Sequence, residues 1–540
     1  SFAGGDERAR IKSARLFRPG EAAVEATRSG SYAADFPPLR PGDVIEWAYR
    51  TDDLRPSFFG NYIGVRHPFQ GASLPETMTS ELIVLLPKSR EFRFHVRHAE
   101  LKRETIAAPP FLVDYDARRY AVGRLPAVAT EPAMPGSEEF VPEVQFSTYV
   151  DWDAFAGWWW NLVKEQFDVN DAMRAKLAEI LAGKTTDDEK IAAVYALAVT
   201  DIRYVAWPFG VHGYKPYRAS AIYERRFGDC KDKALLICAL LKEAGIVAHP
   251  VIIRSEEVRP NEDLSLALVE HFNHCIAAIP TADGGFRFLD GTAEFHAVSD
   301  VPDSDRGAKV VVVRDGRATL AQVPHAKPEE NAERERMKVK LAADGAAEIT
   351  FESDVVGRDA VRTRAAFVNE SDRKEVLSRE LNARFSAGVL GEIRASKLDD
   401  LSVPVSFGWT FAVKDALVRD GEKARLKPFW PSFDWTTLGA APERRFDLVL
   451  GEPFLTETEV EIDLGGRKLT GFPRDVVLET PFAEYRLVRE QNATGLVMKR
   501  WLMLKTPRVA AADYAAFKAF VNQVAAADAE TAVTTTEAAR

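Results

Sequence analysis

The sequence predicts an α+β protein, with a core of helices and antiparallel strands in the middle of the chain and β-rich, sandwich-like domains on both sides. Short runs of β-forming residues, broken by Pro, Gly and Asp, occupy the first and last parts of the chain, whereas apolar residues at helical spacing occupy the middle. At 540 residues the chain exceeds the length that one hydrophobic core serves, about 250–300 residues. We therefore predict three domains, at residues 1–148, 149–328 and 329–540.

The N-terminal domain is predicted from runs of alternating or bunched β-forming residues between turn signals. These runs favour an antiparallel sheet and lie at residues 44–50, 80–87 and 91–101. The stretch 126–144, rich in Pro, Ala, Gly and Glu, is the predicted connection to the next domain.

The middle domain begins with helical periodicity and ends with strands. Helices are predicted at 151–167, 170–183 and 187–202, with Asp151 and Asn170 at the N-cap positions of the first two. A strongly apolar helix from Cys230 to Ala244 ends at Gly245. The strands that follow are predicted at residues 246–254, 274–280 and 285–290. Helices followed by strands favour an α+β core.

The C-terminal domain returns to β patterns. Residues 337–353 are typical of a hairpin around Asp344 and Gly345. A helical region is predicted at 357–386 and an amphipathic helix at 513–528. Further strands are predicted at residues 401–413, 445–450 and 458–464.

Charge and hydropathy argue against several classes of protein. The formal net charge is -10, whereas nucleic-acid binding needs a concentrated basic face. No segment approaches the roughly 20 uninterrupted apolar residues that cross a bilayer. The chain begins at Ser1 and lacks a basic segment followed by an apolar one, so we expect any export signal to have been removed or never included.

The three cysteines, Cys230, Cys238 and Cys275, are too few for a scaffold built on disulfides. Their spacing contains no C-x-x-C pair, which argues against a structural zinc site. Cys238 lies in an apolar helix and Cys275 in a predicted strand, so both are predicted to pack in the interior, as is the run Trp158–Trp160. Cys230 is left as a candidate reactive thiol.

Cys230 stands at the start of the apolar helix. Asp229 is a suitable N-cap and Asp232 follows three residues later, which is typical of a capping box. The free N–H groups and the positive end of the helix dipole favour the thiolate form there, and Lys231 and Lys233 add positive charge. A buried helix with a cysteine at its exposed end is how papain-like enzymes present their nucleophile.

His274 and Asp290 are the candidate partners of this cysteine. His274 opens an apolar strand after a polar turn, and Asp290 ends the next short strand. Neighbouring antiparallel strands can place a base and its orienting carboxylate side by side. The pattern alone leaves His271 open as the base, and leaves open a solvated His274 and an Asp290 that bonds only its own turn.

Three separated motifs resemble the transglutaminase-like superfamily. They are the stretch at 201–246 that contains GDCKDKA, FNHCIAAI at 272–279 and FLDGT at 288–292. Together with RPGDVIEWAYRTDD at 40–53, they resemble a bacterial group in which this core follows a DUF3857-type N-terminal domain. The resemblance implies Cys230 as nucleophile, His274 rather than His271 as base, and Asp290 as the residue that orients the base.

The resemblance also implies that Tyr204 and Trp207 form a wall of the cleft and contact substrate. Two positions depart from the family pattern, His212 beside a glycine and Gly291 in place of the usual proline. Neither belongs to the triad, but Gly291 predicts a looser turn after Asp290.

The activity implied is attack by Cys230 on a carboxamide or peptide carbonyl, with a thioester intermediate that passes to an amine or to water. The expected partner is a protein or peptide substrate, and no metal or organic cofactor is required. A cysteine peptidase or amidase, and a non-catalytic scaffold that binds envelope partners, are the alternatives. The family resemblance implies a bacterial exported protein, in the periplasm or associated with the cell envelope.

Overall fold

An α+β core lies between two β-rich regions, as the sequence predicted. The computed structural model describes residues 7–28, 33–53, 62–71, 73–98, 100–206, 210–385, 388–426, 435–471 and 474–535.

The N-terminal region is built from short antiparallel strands. The strands are β1 (Glu7–Phe17), β2 (Val24–Glu25), β3 (Thr27–Arg28), β4 (Ala34–Asp35), β5 (Val44–Asp53), β6 (Gly64–Pro68), β7 (Ser80–Pro87), β8 (Arg93–Arg97), β9 (Lys102–Ile106), β10 (Tyr115–Val122) and β11 (Glu143–Ser147). Two sheets, ordered β7-β10-β9 and β6-β11-β8, share one apolar core. Val84 and Tyr120 of the first sheet pack there with Val144 and Phe146 of the second, so these sheets form a sandwich. A third sheet is ordered β2-β1-β5.

Five helices open the core. They are α1 (Trp152–Val163), α2 (Asp171–Leu181), α3 (Asp187–Ala196), α4 (Ala219–Arg225) and α5 (Cys230–Glu243). The Asp151 side chain accepts the backbone N–H of Ala154, and the Asn170 side chain accepts that of Met173, so both predicted N-caps are present. A single π-helical turn, Leu197–Asp201, continues α3. Every residue of α5 from 234 to 241 is buried, as its unbroken apolar sequence predicted.

The core sheet has five antiparallel strands in the order β16-β15-β14-β17-β18. The strands of the core are β12 (Arg203–Tyr204), β13 (Phe227–Gly228), β14 (His249–Ile253), β15 (His274–Pro280), β16 (Phe286–Leu289), β17 (Lys309–Arg314) and β18 (Arg317–Gln322). Alternate residues of the sheet enter different apolar cores: Ala277 and Leu289 pack with α5, whereas Ile276 and Phe288 pack in a separate cluster. Helices on one face and a second core on the other keep this sheet rigid.

The C-terminal region combines a large sheet with three helices. Its helices are α6 (Arg358–Phe367), α7 (Glu370–Arg384) and α8 (Tyr514–Ala529). Its strands are β19 (Ala332–Leu341), β20 (Ala347–Val355), β21 (Val389–Ala395), β22 (Val405–Val413), β23 (Leu417–Asp420), β24 (Lys423–Leu426), β25 (Leu448–Val449), β26 (Phe454–Asp463), β27 (Leu469–Gly471), β28 (Val476–Glu479), β29 (Ala483–Gln491), β30 (Gly495–Leu504), β31 (Arg508–Val509) and β32 (Val533–Thr535). Eight of them form one sheet, ordered β21-β22-β20-β19-β26-β30-β29-β28, and α8 packs on β29 and β30.

The predicted hairpin at 337–353 is the pair β19 and β20, and Gly345 in its turn has a φ of +94°, which favours glycine. The strand predicted at 445–450 is reduced to the two residues of β25. Within the described ranges, no helix is long and apolar enough to cross a membrane.

Candidate active site

Cys230 is the first residue of α5, and a capping box fixes the turn before it. The Asp229 carboxylate accepts the backbone N–H of Asp232, and the Asp232 carboxylate accepts that of Asp229, both at 3.3 Å. Asp232 also accepts the N–H of Tyr217 at 2.8 Å and a guanidinium N–H of Arg225 at 2.6 Å. The predicted capping box is therefore confirmed, and Cys230 is half-buried at the N-terminus of a rigid helix.

Gly228 brings a second wall of the site next to this turn. In the parallel pair of β12 and β13, Tyr204 lies opposite Gly228, and the N–H of Val205 donates to the Gly228 carbonyl at 2.9 Å. A Cβ at position 228 would lie 2.7 Å from the Cβ of Asp232, so only glycine permits this approach. Tyr204 is held beside the cysteine turn as a result.

His274 and Asp290 meet at one end of the core sheet. His274 begins β15, Asp290 follows the last residue of β16, and Nε2 of His274 lies 3.2 Å from Oδ2 of Asp290. The Thr292 N–H donates to Oδ1 of Asp290 at 2.8 Å, and the Thr292 hydroxyl contacts both carboxylate oxygens. Burial on its own raises the pKa of Asp290, but His274 and then Thr292 lower it below its usual value.

His274 lines the same cavity as the thiol of Cys230. Burial on its own lowers the pKa of His274, but the Asp290 carboxylate, and then a hydrogen bond with Cys230, raise it well above its usual value. Since Nε2 is engaged by Asp290, Nδ1 is the ring nitrogen available to the thiol. The structure thus brings together all three residues that the motifs selected.

His271 is held elsewhere. It is 7% exposed, its ring packs against Trp152 at 6.1 Å, and it lines a different pocket with Arg66 and Arg97. Burial, followed by the charge of Arg66, lowers the pKa of His271 to about 4. Of the two histidines that the sequence pattern left open, His274 is the one beside Cys230.

A cavity of about 100 Å³ lies in front of the thiol. Besides Cys230 and His274, its lining includes five aromatic residues, Phe155, Trp159, Tyr204, Tyr214 and Phe272. Trp159 is both a core residue, as predicted, and a wall of this cavity, with its indole N–H donating to the Tyr214 carbonyl at 3.0 Å. The sequence argument missed Phe155, Tyr214 and Phe272, because their apolar spacing is indistinguishable from that of core residues.

Tyr204 lines the cavity and is 42% exposed. Partial burial, and then the nearby groups of Cys230 and Asp229, raise the pKa of Tyr204 to about 12, so its phenol is neutral at physiological pH. Trp207, the other residue expected to contact substrate, lies outside the described residues.

The two lysines of the motif differ in position. Lys231 lines the cavity and forms a buried ion pair with Asp229. The Lys233 ammonium group instead donates to the Ile202 carbonyl at 2.6 Å, and its side chain is completely buried. Burial lowers the pKa of Lys233 to about 8, although Asp290 opposes this shift. Because the ammonium group of Lys233 is bound to Ile202, Lys233 does not line the cavity of the thiol, although the sequence had suggested that it would add positive charge there.

The turn after Asp290 is tight, which corrects the expectation drawn from Gly291. Three hydrogen bonds from Thr292 hold this turn. A Cβ at Gly291 would lie 3.0 Å from the Cβ of Lys233 and from Cδ1 of Ile237. Glycine lets the turn pack closely against α5 rather than loosening it.

Asp305 is a further carboxyl group at this end of the sheet. It is completely buried, and one of its oxygens lies within 4.8 Å of ligand atoms of both His274 and Asp290. Burial, and then the Asp290 carboxylate, raise the pKa of Asp305 to about 7, while His274, Ser255 and Arg259 act in the opposite direction. Among the described residues, His274, Asp290 and Asp305 are a set whose donor atoms are close enough to hold a metal ion. No sequence pattern indicated Asp305, because Asp in a turn such as PDSDRG is usually solvated.

The N-terminal region holds the loop that leads to His274. The Tyr62 hydroxyl accepts the N–H of Val269 at 3.1 Å and donates to the Glu270 carboxylate. Tyr149 stacks on Tyr62 with ring centroids 4.5 Å apart. The loop before the histidine strand is therefore contacted from outside the core.

Sequence profiles of three families match separate parts of the chain. Residues 174–291 match the transglutaminase-like superfamily. Residues 10–122 match DUF3857 and residues 425–534 match DUF3858, both described as domains of unknown function with solved structures. No curated protein matches the chain.

A comparison with solved structures shows a shared fold for the first of the three described here. A "putative protease" from Parabacteroides distasonis has a TM-score of 0.65 and 13% identity, covering 98% of this chain and 89% of its own. A "putative cysteine protease" from Cytophaga hutchinsonii has a TM-score of 0.20 and 10% identity, covering 43% and 75%. The periplasmic domain of TgpA from Pseudomonas aeruginosa has a TM-score of 0.17 and 14% identity, covering 42% and 75%, and neither of these two supports a structural argument. The chain carries a transglutaminase-like core after a DUF3857 region, as its motifs predicted, and a DUF3858 region follows that core.

Proposed function

We propose that this protein is a cysteine-dependent enzyme that acts on carboxamide or peptide bonds through a thioester intermediate. Cys230 is the nucleophile, His274 its base and Asp290 the residue that orients the base. The observation that carries the proposal is that His274 lines one cavity with Cys230 and lies 3.2 Å from the Asp290 carboxylate. A thiol, an imidazole and a carboxylate in this order are the groups that thiol catalysis requires.

In the first half of the reaction, the Cys230 sulfur attacks the carbonyl carbon and a C–S bond forms. The oxygen that becomes negative is stabilised by backbone N–H groups at the start of α5, including that of Cys230, which have no partner within the helix. The C–N bond then breaks as the His274 imidazolium gives its proton to the leaving ammonia or amine, which leaves a thioester on Cys230.

In the second half, water or an amine attacks the thioester while His274 accepts its proton. The C–S bond breaks, and Cys230 leaves as a thiolate beside the imidazolium. Asp290 is 4% exposed and holds Nε2 throughout, so that Nδ1 stays directed at the sulfur. The raised pKa of His274 supports this assignment, because it favours the imidazolium that pairs with a thiolate.

The substrate class follows from the cavity. Aromatic walls beside the thiol suit an apolar side chain or an extended segment of a protein or peptide. The "putative protease" description of the Parabacteroides distasonis protein supports water as the acceptor. No metal or organic cofactor is needed for these steps. From the resemblance of the motifs to those of bacterial exported proteins, we infer a periplasmic or envelope-associated location.

A binding scaffold is the second candidate, and one observation favours it. The cavity in front of Cys230 is only about 100 Å³, smaller than the several hundred Å³ of typical ligand pockets. In this case the flanking β-rich regions bind envelope partners, and the thiol has no chemical role.

The rate of Cys230 alkylation by iodoacetamide, measured against pH by peptide mass spectrometry, separates the two candidates. An enzyme labels rapidly at Cys230 near neutral pH, and His274→Ala slows the labelling by about tenfold or more, because the thiolate loses its cation. Cys238 and Cys275 are buried and serve as internal controls, and His296→Ala is the matched histidine control. Slow labelling of Cys230 that His274→Ala leaves unchanged would support the scaffold instead. Release of ammonia or peptide, compared with incorporation of a fluorescent primary amine, then identifies the acceptor.

A further inference from the structure

Asp305 has no role in the mechanism above, yet it is buried next to the residues that do. Its side chain is 0% exposed, and neither carboxylate oxygen accepts a hydrogen bond of normal geometry from the described residues, although Ser255 and Arg259 are close enough to lower its pKa. Burial of a carboxylate without a partner is costly, so such groups usually face an ion, a proton or ordered water.

The neighbours of Asp305 have the chemistry of a metal site. The ends of β14 and β16, the start of β15 and the turn before β17 meet at one end of the sheet. This places an imidazole nitrogen of His274, a carboxylate oxygen of Asp290 and one of Asp305 within 4.8 Å of one another.

We propose that His274, Asp290 and Asp305 form a three-ligand site for a divalent transition-metal ion of the Zn²⁺ type, and that occupancy of this site blocks the thiol chemistry of Cys230. The blocking effect rests on the proposed function, whereas the binding does not. The cysteine spacing argued only against a zinc site built from thiolates, so it does not bear on this one.

The donor set selects the class of ion. One imidazole with two carboxylates suits Zn²⁺ and similar ions, whereas Ca²⁺ and Mg²⁺ prefer oxygen ligands alone. Ligand atoms around tetrahedral Zn²⁺ lie about 3.3 Å apart, given metal–ligand bonds of about 2.0–2.1 Å. The 3.2 Å between His274 and Asp290 already meets this spacing, and an Asp305 oxygen lies within 4.8 Å of both. Three protein ligands leave a fourth position for water.

The turn that carries Asp305 also borders a larger cavity. Asp303, Ser304 and Gly307 of this turn line a cavity of about 600 Å³ between the core and the C-terminal region. Because Asp305 itself is completely buried, entry of an ion requires this turn to shift.

Metal binding and catalysis compete for the same atoms. The ion takes the lone pair of His274 Nε2 and an oxygen of Asp290, so the proton that joined them leaves to solvent. The imidazole is then neutral and fixed to the metal, and it no longer supplies the cation that holds a Cys230 thiolate or the proton for the leaving group.

Binding of Co²⁺ and Zn²⁺ to the Cys230→Ser variant, without a polyhistidine tag, tests the site directly. Co²⁺ shows the intense visible absorption of four-coordinate sites, and calorimetry with Zn²⁺ gives the affinity and a stoichiometry of one. Removal of the thiol excludes a trivial metal–cysteine complex. Asp305→Asn is expected to weaken binding at least about tenfold, because loss of a direct ligand costs at least as much as loss of an outer partner.

Asp303→Asn is the matched control, since Asp303 lies in the same turn, where its contact is with Arg358 at 4.0 Å, and it is expected to leave binding unchanged. Unaltered circular dichroism and thermal unfolding of the metal-free Asp305→Asn variant show that the fold is intact. If either measurement changes, the Asp305→Glu variant is used in place of Asp305→Asn. Absence of binding by the Cys230→Ser protein, or equal binding by the Asp305 variant, would overturn the proposal. If metal binding depends on Asp305 but Cys230 of the metal-free wild type is unreactive, the metal site stands and only the proposed enzymatic function is contradicted.

Discussion

The 3.2 Å contact between Nε2 of His274 and Oδ2 of Asp290 ties the first residue of β15 to the residue after β16. It shifts the two groups in opposite directions: the pKa of His274 is raised and that of Asp290 is lowered. Both shifts mean that the folded protein favours the charged pair over the neutral one. The pair therefore contributes to stability as well as to the chemistry proposed for Cys230.

Asp290→Asn is expected to destabilise the protein in a pH-dependent way. A raised histidine pKa adds to the free energy of unfolding. This stabilisation is complete below about pH 6.5 and is lost as the pH rises through the pKa of His274 in the folded protein. A lowered aspartate pKa also adds to the free energy of unfolding. This stabilisation is complete above about pH 4 and is lost as the pH falls through the pKa of Asp290 in the folded protein. The deficit of the variant should therefore be largest between about pH 4 and pH 6.5, at about 3–5 kcal/mol for a broken buried pair, and should shrink in alkali.

Urea unfolding at a series of pH values measures this deficit. Asp188→Asn is the control, because Asp188 is 85% exposed and its ion pair with Arg287 should contribute less than about 1 kcal/mol. A deficit for Asp290→Asn that does not vary with pH would mean that the carboxylate acts only through its hydrogen bonds with Thr292.

Lys233→Met should reveal the cost of a buried ammonium group. Burial lowers the pKa of Lys233 to about 8, from an ordinary value of about 10.4. A lowered lysine pKa means that the protonated form opposes folding, so the wild type gains stability as the pH rises from about 8 to about 10.4. Relative to the Met variant, this gain should reach about 3 kcal/mol, since one pKa unit corresponds to about 1.4 kcal/mol.

Chemical unfolding of both proteins between pH 7 and pH 10.5 provides the test. Lys242→Met, at an exposed position of the same helix, should show no such slope. Parallel stability curves for wild type and Lys233→Met would indicate that the ammonium group is solvated in the folded protein.

The sequence predicted the parts of the site that follow from local rules. The start of α5 at Cys230 was predictable because Asp229 and Asp232 form a capping box within one turn. Strand ends made His274 and Asp290 candidates, but the pattern left His271 open, and the resemblance of the motifs was needed to select His274. Asp305 was not predictable, since its burial arises only when a distant turn folds over the end of the sheet. The tight turn at Gly291 was missed for the same reason, because the side chains that it approaches belong to α5.

Gly291→Ala should disturb the turn that holds Asp290. The added Cβ would meet Lys233 and Ile237 at 3.0 Å, which is closer than ordinary contact, and overpacking of this kind costs about 1–3 kcal/mol. Gly123→Ala is the matched control, because a Cβ at position 123 meets no atom within 4 Å. Thermal unfolding compares the two, and equal midpoints would show that α5 and the turn move apart without cost.

Tyr62→Phe should loosen the loop that leads to His274. The change leaves the buried N–H of Val269 without an acceptor and the Glu270 carboxylate without the phenol, a loss of about 1–3 kcal/mol. Hydrogen exchange at Val269 should become faster, and alkylation of Cys230 should fall if the histidine strand shifts with the loop. Tyr49→Phe, at a tyrosine that is 60% exposed, should change neither measurement.

The two readouts of Tyr62→Phe separate a local effect from a functional one. Faster exchange at Val269 with unchanged alkylation would mean that β15 is held by the core sheet alone, through its pairing with β14 and β16. Changes in both would mean that the N-terminal region sets the position of His274 relative to Cys230. Since Tyr62 lies outside the core that carries the three residues, the second result would make the DUF3857 region part of the working site rather than an attachment to it.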